Sequence, residues 1–399
     1  MGRLSMLEGV RILDLSRVIA GSFCSRMLGD LGAEVIKVEP PTGDAFRRGE
    51  PQKHGFSALF SQFNVGKKSV CINLRDPGGI ALVHELAATA DVFLENFRAG
   101  LAAEIGIDHA AIRQTNPGIV YCSVSGFGQH GDGAGRPAYT DIIQALSGLD
   151  YAASQMFGNA SGAPPGFPAS LADVCTAQYA AIAILAALFR RQQTGGGEHI
   201  DMSMLDAMIS VNDTTLQRYL FSNGEIDGPS PIFRPPLKLT DGFVSASIGL
   251  NVEKTLRAIG RPELIDDPLF ATSAQQRANM AVYVDIVSAW AADRTVAEVT
   301  TLFAEHDIPY GKVRSTAEVL AADTTRDREL LAEVEVAGGS LTVVNTPFNF
   351  ASGKSRPSGP PPRLGEHTRE VLTRLLGKTA AVVDQLVFDG IVAVDPEGT

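Results

Sequence analysis

Residues 10–40 read VRILDLSRVIAGSFCSRMLGDLGAEVIKVEP. The pattern of apolar residues in this stretch predicts a strand, a helix and a second strand. The apolar run 10–15 suits a buried strand, residues 22–31 carry apolar side chains at helical spacing, and 34–38 suits another strand. Further strands are predicted at 69–74, 91–95 and 119–123, with a helix at 78–89. Strands that alternate with helices predict an α/β protein with a doubly wound parallel sheet.

Ligands of such sheets bind at the carboxyl ends of the strands. The first strand is not followed by the glycine pattern G-x-G-x-x-G, so a dinucleotide site is disfavoured.

A second informative segment is Ser170-Leu171-Ala172-Asp173, followed by an apolar run that reaches Arg190 and Arg191. A serine with an acidic residue three positions later is the capping-box pattern, which places Asp173 in the first turn of a long helix. Backbone N–H groups and the helix dipole at that position favour the ionised carboxylate. The sequence therefore predicts a charged nucleophile, with capping alone as the alternative role.

Composition limits the class of protein. At 399 residues the chain exceeds the size at which one core stops growing, so two lobes are predicted. Its hydrophobic content of 45% is that of a globular protein, and its net charge of −11 argues against a nucleic-acid partner.

The cysteines and the N-terminus predict a cytoplasmic protein. Cys24, Cys71, Cys122 and Cys175 are scattered, without paired spacings, and are predicted to be reduced and mostly buried. The first 15 residues contain no apolar signal region. The apolar run 174–189 is predicted to be a buried core helix and not a membrane span.

Proline-rich segments mark the predicted domain boundaries. Gly228-Pro229-Ser230-Pro231 precedes a change in composition, and residues 357–362 are an extended proline-rich run. We predict a large domain over 1–222, a small domain over 223–329 and a C-terminal segment over 330–399.

Motifs in a fixed order resemble those of family III CoA-transferases, the relatives of formyl-CoA transferase, carnitine CoA-transferase and α-methylacyl-CoA racemase. The motifs are Leu7 to Leu15, Leu28 to Pro40, Asn64 to Ser69, Glu95 to Arg98, Ser125 to Gly128, the Asp173 segment, Thr194 to Met204 and Leu364 to Thr368. The resemblance implies a Rossmann-like large domain, a smaller α/β domain, a C-terminal segment that returns to the large domain, and an interlocked homodimer.

The resemblance also implies a mechanism. Asp173 matches the family aspartate that attacks an acyl-CoA thioester, forming a mixed anhydride and then an aspartyl-CoA thioester before CoA passes to a second carboxylic acid. A carboxylate needs no general base to act as a nucleophile, and no metal is required. Coenzyme A enters as substrate, and no tightly bound cofactor is expected.

Coenzyme A carries a pyrophosphate and a 3′-phosphate, which need cations and free backbone N–H groups. One departure from some relatives is Pro40, where they carry an arginine, so Arg47 or Arg48 is expected to replace that cation. The candidates carried over by motif position are Val18, Ile19, Lys37, Ile72, Asn73, Arg75, Asn96, Phe97, Arg98, Arg136 and Tyr139.

Tyr139 distinguishes between a transferase and a racemase-like epimerase. The racemases have a histidine here, as half of a two-base pair, so Tyr139 favours the transferase, while nearby His130 keeps a racemase-like epimerase open. A non-catalytic CoA-binding protein is a second alternative, against which the retained Asp173 argues.

The small domain bears on the substrate. Its residues 224–251 lack the long glycine-rich loop of formyl-CoA transferases, which favours a larger dicarboxylic or hydroxy acid. Phe233, Arg234 and Lys238 are candidates to meet a substrate carboxylate.

Overall fold

The structure is a computed structural model that describes residues 5–156, 164, 166–228 and 234–396. Its strands are β1 Arg11–Asp14, β2 Glu34–Glu39, β3 Gln52–Lys53, β4 Phe56–Ser57, β5 Lys68–Ile72, β6 Val92–Glu95, β7 Val120–Ser125, β8 Glu198–Ser203, β9 Leu237–Lys238, β10 Phe243–Ala246, β11 Tyr310–Lys312, β12 Leu331–Val336, β13 Gly339–Val344, β14 Asn349–Phe350, β15 Gly353–Lys354 and β16 Val392–Ala393.

Its helices are α1 Ala20–Asp30, α2 Ala58–Asn64, α3 Pro77–Ala87, α4 Leu101–Glu104, α5 His109–Thr115, α6 Thr140–Leu146, α7 Leu149–Met156, α8 Leu171–Thr194, α9 Met204–Val211, α10 Asp213–Phe221, α11 Val252–Ala258, α12 Ser273–Ala278, α13 Met280–Ala291, α14 Val296–Glu305, α15 Thr316–Ala321, α16 Asp323–Asp327, α17 Thr368–Leu376 and α18 Ala380–Phe388. Short 3-10 turns occupy Ala45–Arg48 and Pro262–Leu264.

A seven-stranded sheet has the order β16-β5-β2-β1-β6-β7-β8, so the C-terminal strand β16 joins strands from the first half of the chain. All its neighbouring strands are parallel except β16, which pairs antiparallel with β5. Numbered along the chain, the six parallel strands have the Rossmann order 3-2-1-4-5-6. The predicted α/β fold with a doubly wound sheet is confirmed, and the antiparallel edge strand β16 is an addition.

Alternating side chains of each strand build a core on either face of the sheet. Leu13 packs with α3, α5, α17 and α18 on one face, whereas Ile12 packs with α1 and α8 on the other. Because both faces are covered, the central strands carry buried apolar side chains on both faces, as expected of a parallel sheet.

Helix α8 is alanine-rich, which favours a long helix, and it ends at Gly195, whose left-handed φ of 72° closes the last turn. Among the described residues it is the one helix long and apolar enough to cross a membrane. Its residues Ala177, Ala180 and Ile184 are fully buried in the core beside α1, as the predicted core helix requires.

The helical spacing of residues 203–221 predicts one continuous helix, but the structure divides it into α9 and α10. Helix α9 ends before Asn212, and the Asn212 side-chain amide donates to the Ser147 carbonyl oxygen at 3.1 Å. This contact with a distant residue is invisible to helical periodicity.

The chain divides into two compact units. The first comprises Met1–Asp150, Gly166–Asp213 and Thr324–Thr399, and the second comprises Tyr151–Pro165 and Thr214–Asp323. These bounds differ from the predicted 1–222, 223–329 and 330–399, chiefly because Tyr151–Pro165 joins the second unit. Within that unit the Tyr151 hydroxyl donates to Asp227 at 2.9 Å, a long-range contact that composition does not reveal.

The second unit contains a three-stranded antiparallel sheet in the order β11-β10-β9. Side chains of this sheet, including Val244, form a core with Leu256, Tyr283 and Phe303 from α11, α13 and α14.

Candidate active site

A cavity of about 360 Å³ lies in the first unit, at the carboxyl ends of β1, β6 and β7. Strands β1 and β6 are neighbours whose connecting helices leave on opposite faces, so the cavity lies at the topological switch point where such sheets bind ligands. Its lining residues are Arg17, Val18, Ala20, Asn96, Phe97, Arg98, Leu101, Val124, Ser125, Gly126, Ala134, Arg136, Pro137, Ala138, Tyr139, Asp173 and Met204.

Asp173 lines this cavity from the first turn of α8. The predicted capping box is wrong, because the Ser170 side chain accepts no hydrogen bond from the helix. The first N–H groups of α8 are satisfied from α6 instead: Leu171 donates to Gln144 Oε1 at 3.1 Å and Ala172 donates to Thr140 Oγ1 at 3.1 Å.

The carboxyl group of Asp173 is held in a mainly desolvated setting. Burial raises its pKa to about 6, although hydrogen bonds from the Thr140 side chain and the Ala20 backbone oppose the rise. The prediction that the helix start lowers this pKa is therefore wrong, because desolvation outweighs the favourable hydrogen bonds. About nine-tenths of such a group is still ionised at pH 7.

The Ala20 N–H group belongs to the first turn of α1. N–H groups in the first turn of a helix lack intrahelical partners and attract anions. Asp173, which lies in the first turn of α8, therefore also accepts a hydrogen bond from the N-terminus of α1. Gly21 allows α1 to pack closely against the loop before it, because a Cβ atom at residue 21 would lie 2.3 Å from the Ser16 Cβ.

The loop between β1 and α1 is held on two sides. Asn96 accepts the Arg17 N–H group and donates to the Arg17 carbonyl oxygen, each at 2.8 Å. Val18 adopts a left-handed φ of 66°, which is strained for a β-branched residue, and its N–H group donates to Asp44 at 3.1 Å.

Buried charged side chains contact this loop and hold it in place. Lys37 Nζ lies 3.3 Å from Asp44 Oδ2 and donates to the Ser16 carbonyl oxygen at 2.8 Å. Nearby, Lys67 pairs with Asp14 at 3.0 Å; burial alone would raise the pKa of Asp14, but Lys67 and Lys37 hold it below its usual value. Both lysines are buried and paired, so Lys37 does not face the cavity.

Three arginines line the cavity: Arg17, Arg98 and Arg136. None of them forms an ion pair with any residue the structure describes, and the Arg136 guanidinium packs over the Phe127 ring at 4.8 Å. Asp173 is the one acidic residue among the described lining residues, so this cavity is suited to an anion larger than a single phosphate.

The structure brings together seven of the predicted site residues: Val18, Asn96, Phe97, Arg98, Arg136, Tyr139 and Asp173. It does not bring Ile19, Lys37, Ile72, Asn73 and Arg75 to this cavity. Ile72 is fully buried in the core, and Asn73 and Arg75 follow β5, which is separated from β1 by β2.

Neither candidate replacement for the cation missing at Pro40 lines the cavity. Arg47 is paired with Glu39 and lies over the Phe60 ring at 3.8 Å, and Arg48 is exposed. Arg17, which sequence reasoning missed, is the additional cation here. Its place directly after the first strand was the signal that could have found it.

Thr140, Gln144 and Ala20 were also missed. Their contacts with Asp173 or with the start of α8 join segments that are far apart in sequence. Gly126 has a comparable role, because a Cβ atom there would lie 2.2 Å from the Cβ of Ala138, the neighbour of Tyr139.

Comparison with known proteins agrees with this arrangement. The family model described as CoA-transferase family III matches residues 7–368. The chain is 35% identical over 396 residues to the succinyl-CoA:glutarate CoA-transferase of Mus musculus, covering 97% of this chain and 90% of that protein. It is 30% identical over 390 residues to the succinyl-CoA–D-citramalate CoA-transferase of Chloroflexus aurantiacus, covering 94% of each.

A solved structure is similar as well. The CAIB/BAIF family protein from Brucella suis superposes with a TM-score of 0.78 at 30% identity, covering 92% of this chain and 99% of that one. Fold and sequence thus define an enzyme that transfers coenzyme A. The chain belongs to CoA-transferase family III, and the resemblance drawn from its motifs is confirmed.

Proposed function

We propose that this enzyme moves CoA from succinyl-CoA, or a similar acyl-CoA, to a dicarboxylic acid through covalent intermediates on Asp173. The observation that carries the proposal is one carboxylate, close to two helix N-termini, in a cavity whose three arginines form no ion pair with the described part of the chain.

The proposed reaction begins with attack of an Asp173 carboxylate oxygen on the thioester carbonyl carbon. The carbon–sulfur bond breaks, CoA leaves as a thiolate, and a mixed anhydride forms. The thiolate then attacks the aspartyl carbonyl, which releases the donor acid as a carboxylate and leaves an aspartyl-CoA thioester. Covalent catalysis divides one difficult exchange into easier steps.

The second half of the reaction reverses these steps with the acceptor. An acceptor carboxylate attacks the aspartyl thioester and releases CoA thiolate, which attacks the acceptor carbonyl of the new anhydride. The new acyl-CoA leaves and the Asp173 carboxylate is regenerated. No net proton transfer is needed, which fits a cavity whose described lining residues offer no histidine.

Coenzyme A is proposed to bind with its phosphates near Arg17, Arg98 and Arg136, and with an apolar part against Phe97. Arginine side chains bind phosphates through paired N–H donors, and aromatic rings pack on adenine or aliphatic chains. The half-buried Phe97 and the 67% exposed Tyr139 both line the cavity.

Succinyl donors and dicarboxylic acceptors are proposed from the relatives. The mouse and Chloroflexus proteins are named for succinyl-CoA together with glutarate or D-citramalate. Both acceptors are dicarboxylic acids, in agreement with the acceptor class that the sequence favours.

The racemase-like alternative gains no support from the cavity. His130 is exposed and does not line it, and Tyr139 occupies the position where racemases carry histidine. A non-catalytic CoA-binding role would leave the contacts of Thr140 and Ala20 with Asp173 without a purpose.

A homodimer in the cytoplasm remains part of the proposal. The four cysteines are free thiols, which suits a reducing compartment. On α8, Ile182 and Phe189 are 63% and 65% exposed, an apolar surface that an extensive dimer interface would cover. Sedimentation of a stable folded monomer at micromolar concentration would contradict the dimer.

The decisive assay supplies succinyl-CoA and isotope-labelled glutarate and follows labelled glutaryl-CoA by mass spectrometry. We expect transfer with the wild type and none with Asp173→Ala. Loss of an α-proton from a 2-methylacyl-CoA in deuterated water, without CoA transfer to any acid, would instead support the racemase.

A further inference from the structure

We propose that a cavity in the second unit binds a carboxylate group of the dicarboxylic substrate through Arg234. The inference rests on the proposed function, because it gives that substrate class a binding site on this chain. All the residues from which this site is inferred belong to the second unit.

The cavity has a volume of about 550 Å³, within the range of small-molecule sites. Its lining residues are Met156, Arg234, Pro235, Leu237, Ser245, Ala246, Ser247, Ile248, Val284, Pro309, Tyr310 and Gly311. Arg234 is the one charged residue among them, and the hydroxyls of Ser245, Ser247 and Tyr310 are the other polar side chains. The rest of the described wall is apolar or backbone.

Arg234 is half-buried, and its guanidinium lies against Gly249, where a Cβ atom would be 3.3 Å from Nη2. It forms no hydrogen bond or ion pair with the residues that the structure describes. Partly buried arginines elsewhere in the second unit do have partners: Arg218 donates to the Gly228 carbonyl oxygen and Arg294 to the Trp290 carbonyl oxygen.

The Arg234 guanidinium has no hydrogen-bond acceptor among the residues that the structure describes. Its guanidinium has five N–H donors, and burying a charged donor without a partner is unfavourable. Partial burial also lowers the pKa of Arg234. An anionic ligand in the cavity would satisfy these donors.

A carboxylate fits better than a phosphate. The planar guanidinium matches a carboxylate through two parallel hydrogen bonds, and serine hydroxyls can complete its shell. A phosphate ester carries close to two charges, whereas this cavity supplies one cation. The apolar wall of Pro235, Leu237 and Ile248 suits the methylene chain of a short dicarboxylic acid.

The direct test is calorimetric titration of the full-length protein with glutarate, with butyrate and with inorganic phosphate. We expect glutarate to bind the wild type and to bind Arg234→Gln about tenfold to hundredfold more weakly, with Arg234→Lys between them. Arg277→Gln removes an exposed arginine of the same unit that does not line the cavity, and it should bind glutarate like the wild type.

A kinetic measurement separates specificity from a structural defect. With succinyl-CoA as donor, Arg234→Gln should raise KM for glutarate while leaving kcat/KM for butyrate unchanged, because butyrate has no second carboxylate. Equal loss with both acids would show a structural defect, and equal glutarate binding by Arg234→Gln and Arg277→Gln would overturn the site. Preferential binding of phosphate would also overturn it.

These outcomes are distinct from failure of the proposed function. If the wild type transfers CoA to no dicarboxylic acid, the function fails. The titration still decides whether Arg234 binds a carboxylate.

Discussion

The side-chain hydroxyl of Thr140 is hydrogen-bonded to the carboxyl group of Asp173, and its oxygen also accepts the N–H group of Ala172. The Thr140 hydroxyl also donates to Gln144 Oε1 at 3.3 Å, so Gln144 shares the donor that lowers the pKa of Asp173. One residue of α6 therefore both caps α8 and orients the proposed nucleophile.

Replacement of Thr140 by valine keeps the shape and removes both hydrogen bonds. Because the bond from Thr140 lowers the pKa of Asp173, its loss should move the acid limb of the kcat/KM profile to higher pH. We also expect a stability loss of about 1 kcal/mol from the missing cap. Thr140→Ser restores the hydroxyl and should restore the profile. An acid limb unchanged in Thr140→Val would contradict this positioning role.

The raised pKa of Asp173 makes a prediction about stability. The pKa is about 6 in the folded protein and ordinarily 3.8, so folding favours the protonated form. That stabilisation is complete below about pH 4 and is lost as pH rises through about 6. Asp173→Asn should therefore stabilise the protein at pH 7 by up to about 3 kcal/mol and have little effect at pH 4.

Urea denaturation at the two pH values measures this difference. Exposed Asp132→Asn is the matched control and should change stability little at either pH. A gain for Asp173→Asn that is the same at both pH values would show that ionisation of Asp173 is not its cause.

The buried pair of Lys37 and Asp44 should be far more important to stability than an exposed pair. Asp44→Asn removes the carboxylate that is paired with the buried Lys37 charge, which costs about 3 kcal/mol or more. Lys68→Gln breaks contacts with Glu34 and Glu370 that are partly exposed and worth about 1 kcal/mol or less. Chemical denaturation of both variants makes the comparison. Equal losses would show that the buried pair has no special role.

The cavity arginines should affect acyl-CoA binding more than chemistry. Arg17→Gln, Arg98→Gln and Arg136→Gln should each raise KM for succinyl-CoA about tenfold, with a smaller change in kcat. Exposed Arg113→Gln, in the same unit but outside the cavity, is the control. Steady-state kinetics over a range of donor concentrations tests this, and an unchanged KM in all three variants would place the phosphates elsewhere.

Much of the fold was predictable because it depends on local patterns. The runs that became β1, β2, β5, β6 and β7 are rich in apolar residues, as expected of strands that are covered on both faces. The edge strand β16 has only two residues and pairs with a strand some 320 positions earlier, so no local pattern reveals it.

The candidate site was predictable to the extent that strand order determines it. Phe97 and Arg98 follow β6, so the switch-point rule brings them to the cavity, whereas Arg75 follows a strand two places from β1 and is left out. Lys37 does not line the cavity, because its side chain is paired with buried Asp44. The direction of the Asp173 pKa shift was predicted wrongly, because the segments that bury this carboxyl group are distant from it in sequence.

The proposed transfer mechanism depends most on Asp173 as a covalent nucleophile. The direct measurement is incubation with succinyl-CoA, trapping with hydroxylamine, and mass spectrometry of the peptide that contains Asp173. We predict a hydroxamate at Asp173 in the wild type and none in Asp173→Asn, whose fold should persist. Transfer of CoA by the wild type with no adduct at Asp173, or continued transfer by Asp173→Asn, would contradict the account.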